Sequence, residues 1–288
     1  MNLDFSEIFE KYEAIVAEVD AVFEKVKAEH GDCVTCSVGC SDCCHALFDL
    51  SLVEAVYLNT KFNERFEGQQ RSDILDRADE ADRQTYRVKR EAFKASRDGA
   101  LASEIMEMVS KSRVRCALLN DEDKCDLYDF RPITCRLYGI PTAIGGRAHT
   151  CAKTGFEGGK QYPTVKVEKI QDRLMELSRE LAESINTSYA QLSDMLVPLS
   201  MALMNTYDAE FLGAQDEKAK AECAPCAAPA SPEQPTEQPA EQPAAPGSAA
   251  SAAFEGAPSC DSCGEAPGSS ACDTCGGGTV WEIGGEKK

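Results

Sequence analysis

Nine cysteines in residues 33–151 are the side chains in this sequence best suited to chemistry. Five fall within twelve residues, and four follow at wider spacing: Cys33, Cys36, Cys40, Cys43 and Cys44, then Cys116, Cys125, Cys135 and Cys151. Closely spaced thiolates bring several sulfur ligands into one small volume, which is typical of zinc sites and iron–sulfur clusters. Buried free cysteines that act as small hydrophobic residues would explain one or two positions, but hardly the group.

Disulfide bonds are the other explanation for so many cysteines. The cellular compartment decides between disulfide bonds and metal binding. Residues 1–30 carry acidic side chains throughout and lack a basic segment followed by an apolar run, so no signal peptide is predicted. No apolar run reaches the length of about 18 residues that a membrane span needs. We therefore expect a cytoplasmic protein without a membrane partner, where such cysteines bind metal more often than they form disulfides.

The charge of the chain restricts its partners. Its 288 residues carry a formal net charge of −19. A chain this acidic is poorly suited to neutralising a phosphate backbone, so nucleic acid is not expected as a partner. The partners that we expect are a metal ion or cluster and a redox or protein partner.

The composition divides the chain into three predicted regions: 1–212, a folded cysteine-cluster domain; 213–258, a disordered linker rich in Ala, Pro, Gln and Glu; and 259–288, a small metal-binding tail. The tail contains two Cys-x2-Cys-Gly turns, at Cys260, Cys263, Cys272 and Cys275, and a further pair lies in the linker at Cys223 and Cys226. Two such turns can close a four-cysteine zinc site, which we expect in the tail, either with or without the linker pair. A cysteine-bearing tail without metal is the alternative.

Apolar spacing predicts a mainly α-helical fold, a helical bundle with an irregular cysteine-rich segment. Spacings of three and four place Phe5, Ile8, Tyr12, Ile15, Val19, Val22 and Val26 on one helical stripe. Ser51 and Glu54 form a capping box that opens a second helix. Residues 62–112 indicate long, partly exposed helices with few apolar anchors, among them Ile74, Tyr86 and Phe93. Residues 167–181, followed by Tyr189, Leu192, Met195 and Leu196, predict core helices that end or kink near Pro198.

The irregular segment 113–165, in which we expect one or two short strands, holds the second group of cysteines. From Lys111 to Lys153 it has eight Lys and Arg against five Asp and Glu, although the chain as a whole is acidic. Positive charge stabilises a thiolate centre and lowers thiol pKa values. Arg131 and Arg136, on either side of Cys135, are therefore candidates to tune a metal centre without binding it, and ordinary surface ion pairs are the alternative.

Two motifs together resemble the YkgJ-type cysteine-cluster family, the CxxCxxCC type, described as chelating zinc or iron and often labelled iron–sulfur-cluster proteins. They are Cys40-Ser-Asp-Cys43-Cys44 and Cys125-Asp-Leu-Tyr-Asp-Phe-Arg-Pro-Ile-Thr-Cys135-Arg-Leu-Tyr-Gly, with Cys151 downstream. The resemblance covers roughly residues 33–160. It implies that Cys40, Cys43, Cys44, Cys125, Cys135 and Cys151 bind metal, with Cys36 completing the first motif and Cys33 interchangeable with it.

Two enzymatic alternatives use the same cysteines. Cys36-x3-Cys40-x2-Cys43 has the spacing of radical S-adenosylmethionine enzymes, but their β/α barrel requires alternating strands and helices that this sequence lacks. Flagellin lysine methylases are similar in their cysteine motif, but nothing else in the chain indicates methyl transfer. The sequence does not decide whether the protein is an enzyme.

The core is predicted to hold an iron–sulfur cluster of the 4Fe-4S type, acting in electron transfer or oxidoreduction. A zinc-holding or metal-handling module without catalysis is the alternative. Cys43 and Cys44 are adjacent, so their side chains are expected to diverge. One of them would bind the metal while the other stays free, serves a second metal or acts in redox chemistry.

Overall fold

The described part of the protein is mainly helical, as the sequence predicts. A computed structural model describes residues 3–37, 39–215 and 280–281. Its seven α-helices in this part are α1 (Ser6–Glu29), α2 (Leu52–Arg65), α3 (Gly68–Arg97), α4 (Ala102–Lys111), α5 (Ile133–Leu137), α6 (Val167–Ser184) and α7 (Leu199–Met204). Short 3-10 helices cover Asp42–His45, Tyr128–Phe130 and Leu192–Asp194. None of the helices in these residues is both long and apolar enough to cross a bilayer.

Short strands connect the helices at two places. Strands β1 (Asp49–Ser51) and β5 (Leu196–Pro198) pair antiparallel, with Leu50 opposite Val197. The second sheet has the order β3-β2-β4-β6, formed by β2 (Thr142–Ile144), β3 (Arg147–His149), β4 (Thr164–Lys166) and β6 (Val280–Trp281). In that sheet β2 and β3 are antiparallel, whereas β4 runs parallel to both β2 and β6. The irregular segment thus contributes more strands than the one or two expected.

Helix α2 is the centre of the molecule because both hydrophobic clusters pack on it. The first cluster joins α2 through Leu52, Val53, Val56 and Tyr57 to the apolar stripe of α1 and to α5 and α6. The second joins α2 through Ala55, Leu58 and Phe62 to α3 and α7. Its residues 52–59 are all buried, as expected of a helix that is covered on every side.

A buried carboxylate, Glu54, holds the start of α2 against α5. One of its oxygens accepts hydrogen bonds from the backbone N–H and hydroxyl of Ser51, at 3.1 and 2.9 Å, which completes the predicted capping box. Its other oxygen accepts from the backbone N–H of Ile133 at 3.1 Å. Burial raises the pKa of Glu54, and these hydrogen bonds oppose the shift. Since α2 follows the first cysteine loop and α5 contains Cys135, Glu54 fixes the two cysteine segments relative to each other.

Helices α3 and α4 agree with the expectation of long, partly exposed helices in residues 62–112. Ile74, Ala78 and Ala81 bury one side of α3, whereas α4 has no buried residue. The expectation that Tyr86 and Phe93 anchor α3 is wrong, because their side chains are 65% and 66% exposed. These two aromatic residues lie outside the buried side of α3, which ends at Thr85.

The predicted helix over residues 189–198 is wrong. Instead, residues 192–194 form a single 3-10 turn and residues 196–198 form strand β5. Tyr189 and Leu196 are exposed, at 51% and 59%, so their spacing does not reflect a buried face. Pro198 precedes the first residue of α7 and does not end a helix, because a proline near the start of a helix lacks only an N–H that would have no partner there.

The predicted linker, the tail zinc site and Cys223, Cys226, Cys260, Cys263, Cys272 and Cys275 lie outside the described residues, apart from the backbone of β6. Where the described chain ends, Thr187 forms an isolated bridge with Ala214, and Leu212 is fully buried. The main described range therefore includes packed residues up to Ala214, and the boundary at residue 212 stays a prediction.

Replacing Glu54 with alanine should destabilise the protein by about 2–4 kcal/mol, because two buried backbone N–H groups lose their acceptor. Glu104→Ala is the matched control. Glu104 accepts from the backbone N–H of Leu101 at the exposed start of α4, and its loss should change stability by less than about 0.5 kcal/mol. Urea unfolding of the two variants measures the difference. Equal effects would show that Glu54 does not hold the two segments together.

Candidate metal centre

A single cavity of about 810 Å³ collects most of the cysteines. Eight of them line it: Cys36, Cys40, Cys43, Cys44, Cys116, Cys125, Cys135 and Cys151. They come from the loop after α1, the segment before the 3-10 helix at Tyr128, helix α5 and the loop after β3. All nine core cysteines carry free thiols. The structure thus brings together all but one of the candidate residues of the core.

Cys33 is the candidate that does not line the cavity. Its carbonyl accepts a hydrogen bond from the backbone N–H of Gly155 at 2.8 Å, and a side chain at Gly155 would come within 3.2 Å of the Cys33 Cα. Cys33 therefore sits in a close backbone contact beside the cavity. Cys33 and Cys36 are not interchangeable in position, because only Cys36 faces the other thiols.

Cys43 and Cys44 both face the cavity, so the expected divergence of their side chains does not occur. They lie in the one-turn 3-10 helix Asp42–His45. The Cys44 thiol donates a hydrogen bond to the Cys43 sulfur, which lowers the pKa of Cys43 and raises that of Cys44. Burial opposes the shift at Cys43, and the guanidinium of Arg131 adds to it. Cys43 is therefore the thiol that ionises most readily in this pair.

The most buried wall of the cavity carries Cys116, Cys125 and Cys135. The backbone N–H of Cys116 donates to the Cys44 carbonyl at 2.7 Å, and an isolated bridge pairs Leu119 with Cys125. Burial raises the pKa of Cys116 to about 12 and that of Cys125 to about 11, and it raises the pKa of Cys135 further. These three thiols stay protonated at neutral pH unless a cation replaces the proton.

Cys36, Cys40 and Cys151 form the more accessible wall. The Cys36 thiol donates to the Tyr138 carbonyl at 3.6 Å, and the backbone N–H of Lys153 donates to the Cys151 sulfur at 3.4 Å. Gly139 has a φ of +106°, and a Cβ there would lie 2.3 Å from the Cys36 sulfur. Only glycine leaves room for this thiol.

Asp42 is a residue of this site that sequence reasoning missed. Its carboxylate accepts from the Cys151 thiol at 3.3 Å, from the Tyr138 hydroxyl at 3.2 Å and from Arg113 at 2.8 Å. Burial opposes ionisation, but these three donors lower the pKa of Asp42 below its ordinary value. The position of Asp42 between Cys40 and Cys43 in the sequence could have indicated that it belongs to the site.

The two candidate arginines have different environments. Arg136 is buried, with 7% of its side chain exposed, and forms an ion pair with Asp20 of α1 at 2.6 Å. It also donates to the carbonyls of Asp129 and Arg131, so it holds the loop before α5 in place. The Arg131 guanidinium lies 3.6 Å from the centre of the Tyr128 ring. Its positive charge lowers the pKa of Cys36, Cys43, Cys125 and Cys135, although it is not the largest effect on any of these thiols. Arg131 is therefore the positive charge that the thiols share.

The histidines take no part in the lining of this cavity. His45 Nδ1 lies 3.0 Å from the Ser41 carbonyl, His149 is exposed on β3, and His30 is the C-cap of α1. Within the described residues, no three His, Cys, Asp or Glu side chains are arranged closely enough to hold one ion as they stand. The sulfurs line the walls of the cavity and do not converge on one point.

Comparison with known protein families agrees with this site. Residues 32–152 match the CxxCxxCC family model, described as a "Putative zinc- or iron-chelating domain". Residues 32–152 are thus similar to that family. The resemblance inferred from the two cysteine motifs is thus confirmed, and the match spans all nine core cysteines. No curated protein and no solved structure gives a significant match.

The donor set of the cavity fits a thiolate-bound metal. Backbone N–H groups of Leu118, Leu119, Leu127 and Lys153 donate to the sulfurs of Cys116, Cys125 and Cys151. Such donors, together with Arg131, disperse the negative charge that several thiolates would place in one cavity. The site therefore supports cysteine-ligated metal binding.

Replacing Arg131 with glutamine should raise the pKa of Cys43, because the change removes a positive charge that favours the thiolate. In reduced, metal-free protein, alkylation of Cys43 by iodoacetamide, followed by peptide mass analysis, should then require a higher pH. Arg115→Gln is the matched control, since the Arg115 guanidinium donates to the carbonyls of Leu119 and Asn120. An alkylation midpoint that is the same in both variants would contradict the role given to Arg131.

Proposed function

We propose that the cysteine-lined cavity holds an iron–sulfur cluster that transfers electrons to or from a redox partner. The observation that carries the proposal is that eight cysteines line one cavity of about 810 Å³. A single tetrahedral zinc ion uses four ligands and a far smaller volume. A four-iron cluster also uses four cysteines, but it adds its own bulk of iron and sulfide.

The ligands that we propose come from both walls of the cavity. Cys43 is a thiol whose pKa is lowered, and Cys116, Cys125 and Cys135 form the buried wall beside it. Cys36, Cys40 and Cys151, close to Asp42 and Tyr138, lie on the accessible wall. Cys44 lies within hydrogen-bonding reach of Cys43 and is available to exchange with it as a ligand.

The charges around the cavity also favour a redox centre. Arg131 faces four of the thiols, and backbone N–H groups donate to the sulfurs. Both features stabilise the more negative, reduced state of a cluster and so raise its reduction potential. Arg136 acts through the position of the loop, because its own charge is neutralised by Asp20.

Zinc storage or transfer is the second candidate function. The family description names zinc as well as iron, and the accessible wall with Cys36, Cys40 and Cys151 would let a bound ion exchange with other ligands. A zinc protein of this kind needs no redox partner and no catalysis. Colour separates the two candidates, because an iron–sulfur cluster absorbs visible light and zinc does not.

Anaerobically purified protein should be brown and contain iron and acid-labile sulfide. Cys135→Ser and Cys43→Ser should each lower the iron content at least severalfold, because each removes a proposed thiolate ligand. Cys33→Ser is the matched control, since it alters a core cysteine that does not line the cavity. Metal analysis and absorption spectra of the three variants provide the measurement.

Three outcomes distinguish the candidates. Colourless protein that contains zinc, with less zinc in Cys43→Ser and Cys135→Ser, would favour zinc holding. Equal metal content in all three variants would contradict a centre in this cavity. A loss in Cys33→Ser as large as in the others would show that the cavity does not define the ligands.

We also propose that Cys260, Cys263, Cys272 and Cys275 bind a separate zinc ion, on the basis of their two Cys-x2-Cys-Gly turns. Changing Cys260 and Cys272 to serine together in the full chain should remove about one zinc ion per chain and leave the iron content unchanged. Iron and zinc analysis of the same sample checks this. Loss of iron in this variant would show that the tail cysteines belong to the core centre.

A further inference from the structure

The C-terminal half of α3 presents a basic and aromatic face that nothing in the described chain covers. Residues 83–97 contain six Lys and Arg and one acidic residue, Glu91, although the whole chain carries −19. Arg87, Arg90, Lys94 and Arg97 recur at spacings of three, four and three, so they lie on one side of the helix. Tyr86 and Phe93, seven residues apart, lie along the edge of the same stripe with 65% and 66% of their surface exposed.

These four basic side chains have no partner in the part of the chain that the structure describes. Other basic residues of α3 do have one, since Arg77 pairs with Asp126, Arg83 with Asp79 and Lys89 with Asp49. The stripe is therefore a concentration of positive charge next to exposed aromatic rings. Such a surface fits an extended, acidic ligand that also offers flat apolar groups.

The chain itself contains a segment with these properties. Residues 221–279 include eight acidic residues and no Lys or Arg. Within them, Glu-Gln-Pro recurs every four residues from Pro232 to Pro243 and places carboxylates at Glu233, Glu237 and Glu241. Proline rings pack well on aromatic side chains, and the glutamates carry the charge opposite to that of the stripe.

The length of the intervening chain permits this contact. Residues 216–279 connect Gln215 to strand β6, which pairs with β4. For 64 residues, the r.m.s. end-to-end distance of a random coil is about 40–50 Å. Helix α3 has 30 residues, or about 45 Å at the rise of an α-helix. Attachment to the same molecule gives the segment a local concentration in the millimolar range.

We infer that residues 232–243 dock on the face of α3 formed by Tyr86, Arg87, Arg90, Phe93, Lys94 and Arg97 in the same molecule. The glutamates pair with the basic stripe, and the prolines cover the two aromatic rings. The negative charge of the whole chain weakens binding of nucleic acid or an anionic membrane to this face, whereas a tethered acidic segment needs no diffusive encounter.

Carbodiimide coupling of the full chain tests this contact, because the reagent joins a lysine amine to a touching carboxylate as an amide with loss of water. We expect coupling of Lys94 to Glu233, Glu237 or Glu241. The Lys89–Asp49 pair, with its atoms 2.7 Å apart, is the internal positive control. Changing Arg87, Arg90 and Arg97 to glutamine should lower the Lys94 coupling about tenfold, as expected for the loss of exposed ion pairs. About 1 M salt should abolish it.

A variant with Arg65, Arg147 and Lys160 changed to glutamine is the matched control, because these basic residues are exposed on other parts of the molecule. It should leave the Lys94 coupling unchanged. Absence of Lys94 coupling while Lys89 couples to Asp49 would overturn the inference. Coupling that joins chains of different isotopic label would assign the face to a second copy. The full chain can also be tested for binding of an oligonucleotide or of anionic vesicles. Binding that is lost when Arg87, Arg90 and Arg97 are changed would assign the α3 face to that ligand and would likewise overturn the inference.

Discussion

The arrangement of the cysteine cavity depends on the buried carboxylate of Glu54. A capping box normally stabilises one helix, and a glutamate at its third position needs only one partner. Here the second oxygen of Glu54 reaches the backbone N–H of Ile133, at the start of the helix that contains Cys135. The chain positions these two helices by a polar interaction inside an apolar core, where an unpaired donor is expensive. This interaction fixes the distance between the loop at Cys43 and the wall at Cys135.

In the absence of a cation, some features of the cavity keep its thiols protonated and others favour a thiolate. Burial keeps the thiols of Cys116, Cys125 and Cys135 protonated, whereas the hydrogen bond from Cys44 and the charge of Arg131 favour a thiolate at Cys43. One thiolate next to several thiols gives an incoming metal ion a first ligand. Each later ligand must lose a proton, so metal binding should release protons and weaken as the pH falls. Asp42, ionised beside Cys151, is placed to accept a hydrogen bond from that thiol.

Local sequence patterns predicted much of this molecule, and the rest required information about distant contacts. The stripe on α1, the capping box at Ser51 and the cysteine motifs are encoded within a few residues, and each was found. Tyr86, Phe93, Tyr189 and Leu196 have apolar side chains but are exposed. Their burial would depend on neighbours that sequence spacing does not reveal. The different positions of Cys33 and Cys36 likewise follow from Gly155 and Gly139, which lie more than a hundred residues away. The same holds for Arg136, whose partner Asp20 lies on another helix.

The burial of α2 on every side has a consequence for the dynamics of the molecule. Since both hydrophobic clusters include buried apolar residues of α2, neither cluster can open without disturbing the helix on which the other packs. The two clusters should therefore unfold together as one cooperative unit, and amide protons of α2 should exchange with solvent only through global unfolding. Helix α4, with no buried residue, should exchange through local fraying at a far lower free energy. Helix α4 can therefore fluctuate on its own, whereas the core built around α2 opens only as a whole.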